Sequence, residues 1–419
     1  MTTRLTACIA ALGAVLLQAQ AAPVPQAPDD PIKTLVARLD LEKYKATIKG
    51  LTQFGDRRQG TARNRAALDW IEAQLKSYGC APERVTYTYT PRTPAARGQA
   101  GRGQPGAAAG RGRGTGDPTQ GQGGSRIRGT RRPTGVNNDP AKQPDDRIRE
   151  LDSEPTPEGP GERQDVFCTK VGATHPGEMY IVGAHMDGIG WGEAANDDGS
   201  GTALVMELAR VFSSPDVRTD RSIRFALWNN EETGLEGAGA YVDQRKDLQG
   251  QENPAGSGKY PEPKWLGMIQ HDMMMFDHGM PLADGTLPKE QRAEADVNVE
   301  FQKTSKFAAD AQALAWVLHA ANEKYATDYP AAVGPHMTNT DSGRFQDLVA
   351  AISVRENERG AQIGGGWDPQ WHQPTDLFST YSDKDFRLGL NAAQTTLGAV
   401  AQLTAATLAA EREPPSARH

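Results

Sequence analysis

Four short apolar runs, EMYIVGAH, SIRFALWNN, WLGMIQHDMMM and AAISVREN, constrain this chain more than any other feature of it. Each has the length of a strand, and none alternates strictly between apolar and polar residues, so each reads as a strand covered on both faces. Helical patterns lie between and after them. Leu204, Val205, Leu208, Val211 and Phe212 share one helical face, KFAADAQALAWVLHAANEKYA reads as a second long helix, and DKDFRLGLNAAQTTLGAVAQLTAATLAA as a third. Strand alternating with helix predicts an α/β fold: a single globular domain with a mixed, mostly parallel central sheet flanked by helices on both faces. Ahead of these runs the pattern from Asp40 to Tyr78 is helical, with Leu68, Ile71, Leu75 and Tyr78 on one face and Gly79 placed as a C-terminal cap. ERVTYTYT then alternates like a half-buried strand, and DVFCTKV resumes the apolar pattern further on.

Residues 1–22 read as a secretory signal peptide. Arg4 supplies the positive start, ACIAALGAVLL the apolar stretch, and Ala19-Gln20-Ala21 the small-residue cleavage site. The apolar stretch is too short for a membrane span, so an exported chain, periplasmic or extracellular, is expected. The folded domain then covers residues 23–410, interrupted over 91–163 and followed by a disordered tail at 411–419. The interruption is rich in Gly, Arg and Pro (AARGQAGRGQPGAAAGRGRGTG) and has no hydrophobic period, so it is expected to be a disordered insertion. Arg-Gly repeats can grip RNA, but this tract interrupts a domain in an exported chain of formal charge −7, and no nucleic-acid partner is expected. Export also permits a bridge between Cys80 and Cys168, although two thiols do not make a disulfide framework and free buried cysteines fit as well.

Functional groups of open α/β sheets collect past the carboxyl ends of strands, and the unusual residues of this chain fall there. MYIVGA ends in His185 and Asp187, IRFALW in Asn229, Asn230, Glu231 and Glu232, and LGMIQH in Asp272. Asp197 closes a glycine-rich loop ahead of a helix, and His372 lies in WDPQWHQPTD. Alone, a His-x-Asp is more often a surface pair, NNEETG a solvated turn and WHQPTD an ordinary loop. Together they bring carboxylates into one region, and clustered carboxylates resist ionising unless a cation sits among them. Two histidines and three carboxylates suit Zn²⁺ and its neighbours, and with one carboxylate shared they make two three-ligand sites, each with an open position.

The motifs GAHMD, ANDDGSG, NNEETGLEGAGAY, HDMMMFD and WHQPTD occur in the order found in family M28 zinc metallopeptidases, and the chain resembles that family from about Leu51 to Leu408 apart from the insertion. The family includes secreted bacterial aminopeptidases and is related to glutamate carboxypeptidase and glutaminyl cyclase. The resemblance implies two Zn²⁺ ions bridged by Asp197, with His185 and Asp272 completing one site and Glu232 and His372 the other. It implies that Asp187 orients His185 by accepting its hydrogen bond, that Glu231 acts as general base and acid while a metal-activated water attacks a peptide carbonyl, and that the peptide joining Asp197 to Asp198 is cis.

The expected activity is hydrolysis of peptide substrates, as an aminopeptidase releasing N-terminal residues. Glutaminyl cyclase or carboxypeptidase action on the same fold, and a non-catalytic binding module derived from a peptidase, are the alternatives. Asp341, in HMTNTDSGRF, is a candidate for the substrate's ammonium or for a helix cap. Arg355 is a candidate for a substrate carboxylate or for a structural ion pair. His271 and His278 read as ordinary hydrogen-bonding histidines.

Overall fold

The structure is a computed structural model, and it describes residues 30–91, 135–276, 297–335, 340–356 and 368–409. The expected signal peptide, the tail at 411–419, residues 92–134 of the expected insertion and His278 lie outside the described residues. The helices are α1 (Pro31–Val36), α2 (Leu41–Thr52), α3 (Ala62–Ser77), α4 (Asp146–Asp152), α5 (Gly199–Phe212), α6 (Glu236–Arg245), α7 (Ala308–Tyr325) and α8 (Asp383–Leu403). The strands are β1 (Pro82–Tyr89), β2 (Gly161–Lys170), β3 (His175–His185), β4 (Val217–Arg218), β5 (Arg221–Trp228), β6 (Lys264–His271), β7 (Val297–Phe301), β8 (Ala331–Gly334), β9 (Ala351–Arg355) and β10 (Thr407–Leu408).

Eight strands form one mixed sheet in the order β1-β2-β5-β3-β6-β9-β7-β8. Its centre is parallel, β5 against β3, β3 against β6 and β6 against β9, while β1, β2 and β7 add antiparallel pairs toward the edges. All four apolar runs became strands. Side chains alternate across each, so every strand feeds two cores. Val182 and Ala184 of β3 join Phe225 and Leu227 of β5 in the core under α2, α5 and α8, while Met179, Ile181, Ala226 and Trp228 turn to the other face beside Ala238 and Tyr241 of α6. Helices therefore cover both faces, as expected.

Local signals explain the helix ends. Thr61 caps α3 by accepting from the Asn64 N–H. At the other end Gly79 takes a φ of +81°, its N–H reaches the Lys76 carbonyl, and the Cys80 N–H reaches the Leu75 carbonyl. That pairing satisfies two orphan carbonyls. Cys80 emerges from this cap 5.7 Å (Cα to Cα) from Cys168 of β2 and is disulfide-bonded to it, which settles the open pairing.

Two expectations need correction. The insertion does not run unstructured to residue 163: α4 and the start of β2 lie inside it, with Gln143, Ile148 and Asp152 buried. Scattered polar residues carry that segment, and a hydrophobic period does not register them. The last helix stops at Leu403 instead of continuing, because Thr407 and Leu408 pair with β4. Among the described residues no helix is long and apolar enough to cross a membrane.

Candidate functional site

Register delivers the first candidate ligands to one place. His185 ends β3 level with Trp228 of β5, and Ala184 pairs with His271 of β6, so Asp272 comes level with His185 one residue later. Glu231 and Glu232 follow the end of β5. Asp197 arrives from the loop before α5, and its neighbour Asp198 fixes that loop: the Asp198 carboxylate accepts from the backbone N–H groups of His185 (3.2 Å), Gly201 (2.9 Å) and Met273 (3.1 Å). The peptide between Asp197 and Asp198 is cis, as the resemblance implies. Glycine is needed at position 190, where φ is +113° and a Cβ would stand 2.4 Å from the backbone of His372. That close approach lays the glycine-rich loop against the loop carrying the second histidine.

The side chains converge in two groups. His185 Nε2 lies 3.3 Å from Asp197 Oδ1 and 3.9 Å from Asp272 Oδ1. His372 Nε2 lies 2.9 Å from Asp197 Oδ2 and 2.9 Å from Glu232 Oε2. Asp197 thus turns one oxygen toward each imidazole. His185, Asp197 and Asp272 offer ligand atoms within 4.8 Å of one another, as do Asp197, Glu232 and His372, and a third such group joins His185 to Glu231 and Glu232. These six residues and Trp371, whose ring stacks on His372 at 3.9 Å, line a pocket of about 160 Å³.

Burial dominates the electrostatics. It pushes Glu231 well above the usual carboxylate range, with Glu232, Asp341 and Asp272 adding to the shift, and it raises Glu232 to about 7 against the pull of His372. Burial works against charge on the imidazoles too. The surrounding carboxylates outweigh it, so His185 is held well above its ordinary value and His372 is pushed up to about 10. Asp197 and Asp272 are held below the usual range despite burial, the first by the two histidines and the second by Arg355 and His185. Asp197 and Asp272 are favoured in the charged form by the cations beside them, while Glu231 and Glu232 are pushed toward the neutral form. A divalent cation would replace the imidazole protons.

The neighbours of these residues differ from expectation in instructive ways. The His185 Nδ1 hydrogen bond goes to the backbone carbonyl of Asp187 (2.9 Å), with the Asp187 carboxylate 3.8 Å away. That carboxylate instead accepts from the Glu231 N–H (3.1 Å) and so holds the turn after β5. Arg355 donates to Asp272 Oδ2 at 2.8 Å and lies 3.9 Å from Glu300. It is a buried ion-pair residue that leaves Asp272 one oxygen for the pocket. Asp341 is fully buried, accepts from Gln270 (3.1 Å) and is absent from the pocket lining. His271 is buried between the Gly183 carbonyl (3.2 Å) and the Thr396 hydroxyl (2.8 Å), the ordinary role expected of it.

Sequence reasoning missed the support behind the candidate ligands. Arg57 is fully buried and donates to the carbonyls of Gly55 (3.2 Å), Met186, Glu193 and Ala194 (each 2.8 Å), pinning both ends of the glycine-rich loop. Asp376 accepts from the N–H groups of Asn196 (2.8 Å) and Asp197 (3.1 Å), and Glu356 accepts from the Asn196 side chain (2.8 Å). WHQPTD, which ends in Asp376, carried a signal for one of these; the first arginine of FGDRRQG carried none.

The donor set suits a metal on structural grounds. Two imidazole nitrogens point into carboxylates, Glu232 Oε1 is buried without a hydrogen-bond partner, and nitrogen and carboxylate donors are those Zn²⁺ and similar ions prefer. An α/β sheet that gathers two His–carboxylate groups around one shared aspartate at its strand ends defines a candidate metallohydrolase. The chain belongs to peptidase family M28, whose model matches residues 166–389. It is 42% identical over 75 residues to Aminopeptidase YwaD of Bacillus subtilis (strain 168), covering 18% of this chain and 16% of that protein. It is 28% identical over 240 residues to the probable lipoprotein aminopeptidase LpqL of Mycobacterium tuberculosis, covering 55% of this chain and 43% of that one. The chain therefore spans less than half the length of these relatives. The crystal structure of BSAP, a zinc aminopeptidase from Bacillus subtilis, superimposes with a TM-score of 0.57 at 15% identity, over 90% of this chain and 99% of that one. At that identity the likeness concerns the fold.

Proposed function

We propose that this protein is an exported aminopeptidase working with a pair of divalent cations, most simply two Zn²⁺. The observation that carries the reading is the shared position of Asp197, which turns Oδ1 toward His185 and Oδ2 toward His372. His185, Asp197 and Asp272 would hold one ion, and Asp197, Glu232 and His372 the other. Bound there, the ions supply a Lewis acid for the scissile carbonyl and lower the pKa of water in the pocket.

The chain's own residues supply the rest. Glu231 lines the same pocket, and its burial keeps its proton affinity high, which suits a group that must take a proton from water near neutral pH and return it to the departing amine. The Asp187 carboxylate holds the Glu231 backbone, so Asp187 acts by positioning the base. Adjacent glutamates divide the work because successive side chains diverge after a strand, one turning to His372 and the other to the open pocket. Trp371, stacked on His372, closes one wall. Export is supported by the N-terminal composition and by the Cys80–Cys168 disulfide, a bond that persists in oxidising compartments.

The experiment is a panel of amino-acid anilides, free and N-acetylated, with and without a chelator, beside an N-terminal glutamine peptide. Cleavage of free amines alone, abolished by chelator and restored by Zn²⁺, is the expected result. Cyclisation of the glutamine peptide without hydrolysis, or hydrolysis of blocked substrates only, would overturn aminopeptidase action.

A further inference from the structure

A segment outside the family match is also built into the site. Gly135 to Asp145 precedes residues 166–389 and is the return limb of the Gly- and Arg-rich tract. It runs between two loops, the one from Met186 to Asn196 that leads to Asp197 and the one from Asp368 to Asp376 that carries His372. The Asn137 N–H donates to the carbonyl of His372 at 3.0 Å, and the Asn137 side-chain amide reaches the Gly190 carbonyl at 3.4 Å. Gln143 is fully buried, and its Nε2 donates to the Trp191 carbonyl at 2.6 Å and to the Pro374 carbonyl at 2.9 Å. One nitrogen thus ties the two loops to each other. Its Oε1 accepts from the Asp145 N–H at 3.0 Å, and Gln373 Nε2 returns a bond to the Gly135 carbonyl at 2.7 Å.

The kind of contact matters. A segment docked for its own stability buries apolar side chains, yet the buried residues from Gly135 to Asp145 are Asn137 and Gln143, while Val136 is 42% exposed. The segment is held through backbone carbonyls of the ligand-bearing loops, so in being held it fixes them. Asp197 and His372 belong to one ligand group, and this clamp acts on their separation together with the Asp376 bonds to the Asn196 and Asp197 N–H groups. His185 and Asp272 stand at sheet-strand ends and take their positions from the sheet ladder.

We propose that Gln143 is a positioning residue for the Asp197–Glu232–His372 group, which makes the ordered end of the insertion a working part of the metal site. The inference rests on the two-ion reading above. Gln143→Met keeps the size of the side chain and removes both donors. Calorimetric titration of Zn²⁺ into the metal-free protein should then show one of the two ions bound about 10–100-fold more weakly, the range typical for groups that orient ligands, with the other, which shares Asp197, affected less. Asn137→Ala, which removes the 3.4 Å contact to Gly190 and two local bonds to Asp139 (3.1 and 3.3 Å) but keeps the backbone bond to His372, should shift the same ion by less, and it serves as the readout if Gln143→Met does not fold. The thermal midpoint of the metal-free variant separates the two roles: a purely structural clamp lowers the midpoint and leaves both affinities at wild-type values. That result, or an equal loss at both ions, would overturn the proposal while leaving the two-ion reading intact. Wild-type protein that takes up no divalent ion would refute the reading and this inference with it.

Discussion

Glu231→Gln separates the two roles that the geometry permits for this residue. Glu231 lies within ligand range of His185 and Glu232 and also faces the pocket, so it is placed either to bind metal or to move protons. The amide keeps the size and shape of the side chain. The turn survives as well, since the 3.1 Å bond to Asp187 Oδ1 uses the Glu231 backbone N–H. What is lost is a proton acceptor. A positioned general base contributes about 10²–10⁴-fold, or ~3–5 kcal/mol of barrier at about 1.4 kcal/mol per decade. The assay is steady-state hydrolysis of an amino-acid anilide alongside metal content by elemental analysis. We expect kcat to fall by that factor, KM to stay within about two-fold, and metal content to match wild type. Loss of an ion would make Glu231 a ligand, and turnover near wild type would remove it from the mechanism.

Opening the Cys80–Cys168 disulfide, which closes a loop of 88 residues, should cost ~4–5 kcal/mol by loop-closure entropy, read as a lower denaturation midpoint of the Cys80→Ala/Cys168→Ala protein. An unchanged midpoint would contradict that estimate. Deleting residues 94–130 should leave hydrolysis and the melting temperature near wild type, because that stretch has little to bury; extending the deletion to residue 160 should abolish folding, since it removes Gln143 and the buried Asp152. Equal behaviour of the two deletions would refute the division drawn at Gly135. Burial lowers His271 to about 4 from an ordinary value of about 6.5, so the folded protein resists a proton that the unfolded chain accepts. Stability from this group is complete above about 6.5 and is lost as pH falls toward 4, on the order of 3 kcal/mol, and His271→Gln should flatten that part of the pH–stability curve.

The parts of the site legible in sequence are those that a local pattern encodes. His185 and Asp272 end apolar runs, and a buried strand announces its own carboxyl end. Asp197 and His372 stood in short polar motifs whose order carried the family resemblance. The supporting contacts were not legible because they join residues far apart in the chain. Arg57 reaches carbonyls more than a hundred residues away, and Gln143 bridges Trp191 to Pro374. Neither contact leaves a period or a composition bias. The same reason explains the insertion, where a few scattered polar residues, Asn137 and Gln143 among them, hold a segment that has almost no hydrophobic signal. Asp187 shows a finer limit, since sequence marks the residue but does not say whether its carboxylate or its backbone carbonyl meets His185. Helix α6 escaped notice because EGAGAYVDQR carries two glycines. Gly237 is required there by contact with Asp165 and the Asn229 backbone, a demand set by the fold and not by helix propensity.

The central claim is that two cations share the Asp197 carboxylate. Crystals of the protein grown with Zn²⁺, with diffraction recorded on both sides of the zinc absorption edge, test it most directly. The account predicts two anomalous peaks flanking Asp197, one beside His185 and Asp272 and the other beside Glu232 and His372, with both lost or displaced in Asp197→Asn. A single peak, peaks remote from Asp197, or full occupancy of both positions in the Asp197→Asn protein would contradict it.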